Sequence, residues 1–346
     1  MIPDKGHFFS WFAVKRSTMN QPKCNLELYT NFLIATQKQY SCVELQRVSP
    51  DETMAHDAVN RFLNDSTFSS EMLWSFVKDH INPRNGYLCI DDTLLQKRYA
   101  RDIELVKWQW SGKDHAVKPG IGIVTVQWVD LEGASLPVDF RIYQKDKDDK
   151  TKNDHFIEII NSAHKRALSP VYVLIDSWYT TVKNLKAVEE KKWRFIGEVQ
   201  SNRNVSPADQ KGKWVKVSEL EFTEKEVKKV WLKNFGPVLV CKRILKNGDV
   251  RYLITNDLEL TSFDNFVSHS RNRWSIETMH RGLKQACGLE HSYMRKAQAQ
   301  INHIFCSFLA FIKLELTRFK ENISWYQQKW DIVRASVKNR LAMSTA

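Results

Sequence analysis

Apolar residues recur at helical spacing through the first part of the chain. Leu26, Leu28, Phe32 and Leu33 form one periodic stretch, Met54, Ala58, Phe62 and Leu63 a second, and Met72, Phe76 and Val77 a third. Ser49-Pro50-Asp51-Glu52 supplies cap and proline start signals for the second. The pattern predicts an α-helical N-terminal domain over residues 1–85, either a DNA-binding module or a packing unit. From Gly86 the period changes. Residues 86–94, 121–129 and 136–144 read as strands, with Asp130-Leu131-Glu132-Gly133 as a hairpin-type turn. The charged run 145–154 reads as a loop, and lacks the glycine and closing glutamate of a calcium loop. Asn153 or Asp154 can cap a helix over 155–167, followed by strand 171–176, helix 181–191 and strand 193–199.

That order predicts a mixed α/β fold. Three antiparallel strands, helix, strand, helix, strand is also the order of the RNase H-like fold. The expected core spans 86–199 and 258–320, interrupted by a basic β insertion over 200–257. The insertion has strand signals at 229–232, 237–244 and 250–255, with Lys246-Asn247-Gly248-Asp249 as a turn. Helices are predicted over 262–286 and 297–319, and residues 321–346 read as a helical tail.

Charge narrows the class of partner. The 346 residues carry a net charge of +12, which points to a polyanion, and nucleic acid is the commonest one. Twelve tryptophans allow stacking on bases as well as core roles. The six cysteines contain no CxxC pair, so structural zinc is not expected and a reducing cytosol is. No apolar run reaches membrane length. The apolar stretch Phe8–Val14 has no small-residue cleavage site, and Met19 is a second candidate start beside Met1.

Three acids sit where a cleft would use them. Asp92, with Asp91 beside it, ends the run Tyr87–Ile90, and Asp176 ends Val171–Ile175. Glu277 lies on a predicted helix with Arg273, Arg281 and Lys284 at offsets that share its face. Strand alternation lets only one of Asp91 and Asp92 face a cleft easily. Phosphodiester chemistry needs an activated nucleophile and a stabilised leaving oxygen. Two divalent ions clamped by carboxylates supply both. Oxygen ligands suit Mg²⁺ or Mn²⁺. A glycosidase-type carboxylate pair gains nothing from a basic surface facing neutral sugar.

At these residues the chain resembles bacterial insertion-sequence DDE transposases of the cut-and-paste class. The blocks are Ile90-Asp91-Asp92-Thr93, Leu174-Ile175-Asp176-Ser177-Trp178-Tyr179, and Arg273-Trp274-Ser275-Ile276-Glu277 with Lys284. Arg273, Glu277 and Lys284 fit the family's Tyr-Arg-Glu-Lys spacing, while its Tyr position is Ser270. The resemblance implies an RNase H-like catalytic core over about 86–320. It also implies Asp92, Asp176 and Glu277 as catalytic ligands of two Mg²⁺ or Mn²⁺ ions, with Asp91 competing for the first place. Arg273, Arg281 and Lys284 would hold phosphates, and Trp231, or else Trp214, a flipped base. The implied activity is cleavage and strand transfer of transposon ends by a homodimer on double-stranded DNA, in a prokaryotic cytoplasm at the nucleoid. A related nuclease without strand transfer and an inactive DNA-binding relative are the alternatives.

Overall fold

A computed structural model describes residues 22–98, 102–112 and 114–343. The choice between Met1 and Met19, and the stretch Phe8–Val14, lie outside the described residues. Four short helices come first: α1 (Leu26–Ala35), α2 (Cys42–Val48), α3 (His56–Asp65) and α4 (Ser70–Val77). Helix α2 was not predicted. Ser41 caps it by accepting the Glu44 N–H, and it ends at Ser49. The start signal at 49–52 therefore opens no helix, and α3 begins later, behind Ala55.

The strands begin with β1 (Gly86–Gln96), β2 (Lys107–Ser111), β3 (Ala116–Asp130) and β4 (Ser135–Tyr143). Strand β2 is an addition to the expected set. Its Lys-Trp-Gln-Trp-Ser alternation pairs it with the first half of β3, while β4 pairs with the second half. The charged run then forms a helical turn, α5 (Lys145–Asp148), which stops where Asp149 turns left-handed. Helix α6 (Lys152–Lys165) follows. Its cap is Thr151, in a reciprocal capping box with Asp154, and not Asn153 or Asp154.

Next come β5 (Tyr172–Ile175), α7 (Val182–Glu190) and β6 (Phe195–Val199). The central strands lie in the order β4-β3-β1-β5-β6, with β1, β5 and β6 parallel and β3 and β4 antiparallel to their neighbours. This is an RNase H-like α/β sheet. Strands β7 (Asn204–Pro207), β8 (Val215–Lys216), β9 (Val227–Leu232), β10 (Gly236–Ile244) and β11 (Val250–Thr255) continue it outward from β6 in the order β11-β10-β9-β7-β8. The basic segment thus extends the edge of the same sheet.

The expected helix over 262–286 is two helices, α8 (Phe263–Arg271) and α9 (Trp274–Ala286). The break lies at Asn272, whose side chain donates to the Ser268 and His269 carbonyls and competes with helical bonding there. Helix α10 (Ala297–Glu321) is buried along most of its length, and α11 (Trp325–Met343) closes the described chain. The N-terminal helices α1, α3 and α4 pack on α10, so one hydrophobic core runs from Cys24 to Trp325. All six cysteines are free thiols. Among the described residues, no helix is long and apolar enough to cross a membrane.

Candidate active site

Register decides which acids can meet. In the parallel pair β1/β5, Tyr87, Leu88 and Cys89 lie beside Tyr172, Val173 and Leu174. Carrying that register two residues on brings Asp91 level with Asp176. Side chains alternate between faces along a strand, so Cys89 and Asp91 share one face and Asp92 takes the other. Helix α9 covers the Cys89 face, where the Cys89 thiol donates to the Asn272 carbonyl and lies against the Ser275 hydroxyl. Glu277 is one turn into α9, so its carboxylate belongs with Asp91.

Arg273 links these acids. It bonds Glu277 Oε1 at 2.7 Å and lies 3.8 Å from Asp91 Oδ2. Its charge also opposes the rise in the pKa of Asp176. Asp92 bonds other partners, although its charge still reaches Asp91 and Asp176. Lys152, on α6, bonds its Oδ2 at 2.5 Å, and the Tyr179 hydroxyl donates to its Oδ1 at 2.9 Å. The structure thus brings Asp91, Asp176, Arg273 and Glu277 together. It turns Asp92, the first acid that the resemblance implies, toward α6.

The carboxylates crowd one another. Burial pushes Asp91 well above the usual carboxylate range, the charges of Asp176 and Asp92 add to this, and Arg273 opposes it. Burial also raises Asp176, against hydrogen bonds from the Tyr179 and Trp178 backbone N–H groups at 3.1 and 3.0 Å. Clustered carboxylate oxygens crowded by burial, with a guanidinium as counter-ion, are a donor set suited to a hard divalent cation. Among the described residues, the carboxylates do not converge into a three-ligand cluster, and Arg273 lies between two of them.

A polar seam docks α9 onto β1. The Thr125 hydroxyl donates to the Asp91 carbonyl at 3.1 Å and lies 2.7 Å from His280 Nε2. Burial pulls His280 down to about 3, so the ring is neutral and can donate from Nε2 to Thr125. Ser275 donates to Gln127 at 3.0 Å on the same face. These bonds fix the backbone of Asp91 against the helix carrying Glu277.

Beside the acids opens a cleft of about 580 Å³, walled by β6, β10, β11, α8 and α9. Arg243, Arg251, Arg271 and Arg273 line it with Trp274, which is 57% exposed. Arg243 and Arg251 are directly opposite each other across β10 and β11. Like charges so placed destabilise a sheet, and only Arg251 has an acidic partner among the described residues, Glu198 at 3.4 Å. An anion would relieve that repulsion.

The other predicted contacts are dispersed. Lys284 Nζ donates to the Leu94 carbonyl at 2.8 Å and pairs with Glu290 at 3.1 Å. Arg281 is exposed. Trp231 lies on β9, the third strand out from β6, under the Lys211 ammonium at 3.9 Å, and does not line the cleft. Trp214 is also outside it, near Lys233. The aromatic side chain in the cleft is Trp274, four residues after Ser270, which lines the same cleft. Sequence reasoning passed over Trp274 although it lies inside the quoted motif. Lys152 and the cleft arginines of β10 and β11 carried no sequence signal of their own.

The profile of the family described as DDE superfamily endonuclease matches residues 13–217. The chain belongs to that family. No curated protein matches it. The matched residues take in Asp91, Asp92 and Asp176, and end before Glu277. As a DDE superfamily endonuclease the chain has a nuclease or polynucleotidyl transferase type of activity on DNA, in a class of enzymes that generally uses divalent metal ions.

Proposed function

We propose that this endonuclease is a transposase that cleaves DNA at the ends of its own element and joins the freed 3′-hydroxyl to a new phosphodiester. The observation that carries the reading is the grouping of Asp91, Asp176 and Glu277 around Arg273, beside an arginine-lined cleft that Arg273 and Glu277 help to wall. Asp91, in place of Asp92, is the first acid of the triad. Asp91, Asp176 and Glu277 would hold two Mg²⁺ or Mn²⁺ ions. When bound, the ions supply the Lewis acidity that activates the attacking oxygen and stabilises the leaving one.

The chain's own residues do the rest. Arg273, released from Asp91 and Glu277, turns to a non-bridging phosphate oxygen. Arg243, Arg251 and Arg271 hold the neighbouring backbone, and Trp274 forms the apolar wall. The Thr125–His280 seam keeps Asp91 and α9 in register. In the first stage, water attacks phosphorus and the P–O3′ bond breaks, leaving a 3′-hydroxyl and a 5′-phosphate. In the second, that hydroxyl attacks a target phosphorus and displaces its 3′-oxygen. Residues 86–199 and 258–320 act as the catalytic core and 200–257 as a phosphate-backbone surface. Holding two ends at once calls for a homodimer.

Short inverted repeats flanking the coding region would supply the recognised ends. A labelled duplex cut from such a flank, with a free 3′-hydroxyl, is expected to join to a supercoiled plasmid in Mn²⁺. Cleavage without any joined product would make the protein a nuclease lacking strand transfer.

A further inference from the structure

The two ends of the sheet are built differently. One is β8, two residues long and ending on Lys216, a short charged edge that resists pairing with another chain. The other is β2, which carries no such guard. Trp108 and Trp110 lie on one face of it, beside Pro119 and Val117 of β3. Trp108 is 74% and Trp110 61% exposed, and Val117 is exposed with them. The opposite face already has its partners. Lys107 pairs with Asp146 at 2.7 Å, the Gln109 amide donates to the Gly120 carbonyl at 3.2 Å, and Ser111 donates to Asp114 at 2.9 Å.

Hydrogen-bond parity fixes where the backbone of β2 points. Residues opposite each other on antiparallel strands alternate between bonding one another and bonding outward. Pro119 gives its carbonyl to the Lys97 N–H, on the β1 side, at 3.0 Å. Trp108, opposite Pro119, therefore turns its N–H and C=O away from β3, and Trp110, two residues on, does the same. Among the described residues these four groups have no partner. The open edge and the open aromatic face thus belong to the same two residues.

Lys-Trp-Gln-Trp-Ser reads nearly the same in both directions. A second strand of this sequence, antiparallel about a two-fold axis at Gln109, fits the edge and the face together. It sets Trp108 opposite Trp110 of the second copy, and Trp110 opposite Trp108 of the second copy. The outward N–H and C=O groups then meet in four hydrogen bonds, and the four indoles gather on one face. Lys107 falls opposite a serine, so no like charges are opposed. A one-residue shift of register loses both matches. We propose that β2 pairs with β2 of a second copy of the chain in this register, in the absence of DNA. The contact gives the homodimer of the reading above a surface, but it rests on the sheet edge and not on that reading. The exposed parts of four tryptophans contribute about 400–700 Å² of buried area. With Val117 and Pro119 the contact is at the small end of specific interfaces, which makes a weak, reversible dimer.

The test uses the full chain without DNA. Sedimentation velocity over about 1–100 µM is expected to show a reversible monomer–dimer equilibrium. Trp108→Ala combined with Trp110→Ala should raise the dissociation constant at least about tenfold and leave the thermal melt unchanged. The register has its own readout. Gln109→Cys sets two thiols at the axis, where the Cα atoms of an opposed, non-bonded pair are about 4.5 Å apart, within reach of a disulfide. Under mild oxidation that variant should run as a covalent dimer on a non-reducing gel. Trp108→Cys, opposed by a tryptophan, should not, nor should the wild type with its own six cysteines. A wild type that stays monomeric, an unchanged dissociation constant in the double variant, or no covalent dimer from Gln109→Cys would each overturn the pairing and leave the DNA reading standing. A failed end-joining assay beside a captured dimer would overturn the DNA reading alone.

Discussion

Asp91→Asn is expected to lower metal-dependent DNA cleavage by roughly a thousandfold or more, the loss that follows removal of a group stabilising transition-state charge. Asp92→Asn should stay within about tenfold of the wild type. The contrast follows from the faces of β1. Asp91 shares its face with α9 and lies level with Asp176, whereas Asp92 pairs with Lys152 and Tyr179. Asparagine at 92 still accepts the Tyr179 hydrogen bond and loses only a partly exposed ion pair, worth under about 1 kcal/mol.

The same substitution carries an opposite sign for stability. The folded pKa of Asp91 lies above its unfolded value of about 3.9. The folded state therefore binds the extra proton between the two values, and stability falls as pH rises through that window. Above the ordinary aspartate range the folded state therefore bears a cost at this buried, crowded carboxylate. Asp91→Asn removes it, so the variant should melt higher than the wild type at pH 7 in the absence of divalent metal. The gap should close as pH falls to the ordinary aspartate range. A variant that is inactive and more stable separates a functional carboxylate from a structural one. Plasmid nicking and thermal melts across pH check the two arms.

Lys329→Met should cost roughly 2–4 kcal/mol of unfolding free energy, the penalty for stripping a buried charge from its hydrogen-bond acceptors. Lys329 is buried on α11, where its ammonium donates to the carbonyls of Ile34, Thr36 and Ala286 at 2.7, 2.9 and 3.0 Å. Those carbonyls lie at the ends of α1 and α9, whose last turns have no helical donors of their own. Burial pulls the lysine down to about 8, so at pH 7 it is still charged and suits two negative helix ends at once. One side chain therefore ties the N-terminal helices, the C-terminal helix and the helix of Glu277 together. Urea unfolding of wild type and variant measures the loss, and a change below about 1 kcal/mol would remove Lys329 from that role.

Much of this was legible in the chain because it is local. Strand-end Asp176 is followed by a cap and a helix, and the apolar runs of β1 and β5 are short and bounded. The order of elements then gives the sheet. Parity was not legible. Two adjacent aspartates on one strand point to opposite faces, and sequence does not say which face receives α9 until Cys89, Thr125 and Gln127 are seen bonded to Asn272, His280 and Ser275. Distance across the sheet was equally hidden. Trp231 looked suitable because it is aromatic and sits among lysines, but β10 and β11 separate its strand from β6. Trp274 was in view and was read as part of a spacing. The break before it, made by one asparagine side chain, lets α9 start where Arg273 can reach both Asp91 and Glu277.

The most direct test of the central claim is calorimetric titration of Mn²⁺ into the full chain at two pH values. A site of crowded carboxylates raised by burial must lose protons to take metal, so binding should tighten as pH rises above the ordinary aspartate range. The account predicts two Mn²⁺ equivalents on the wild type, strengthened by DNA, and none on the double variant Asp91→Asn, Asp176→Asn. Equal Mn²⁺ binding by that variant, or loss of binding in Asp92→Asn while Asp91→Asn keeps it, would contradict the site.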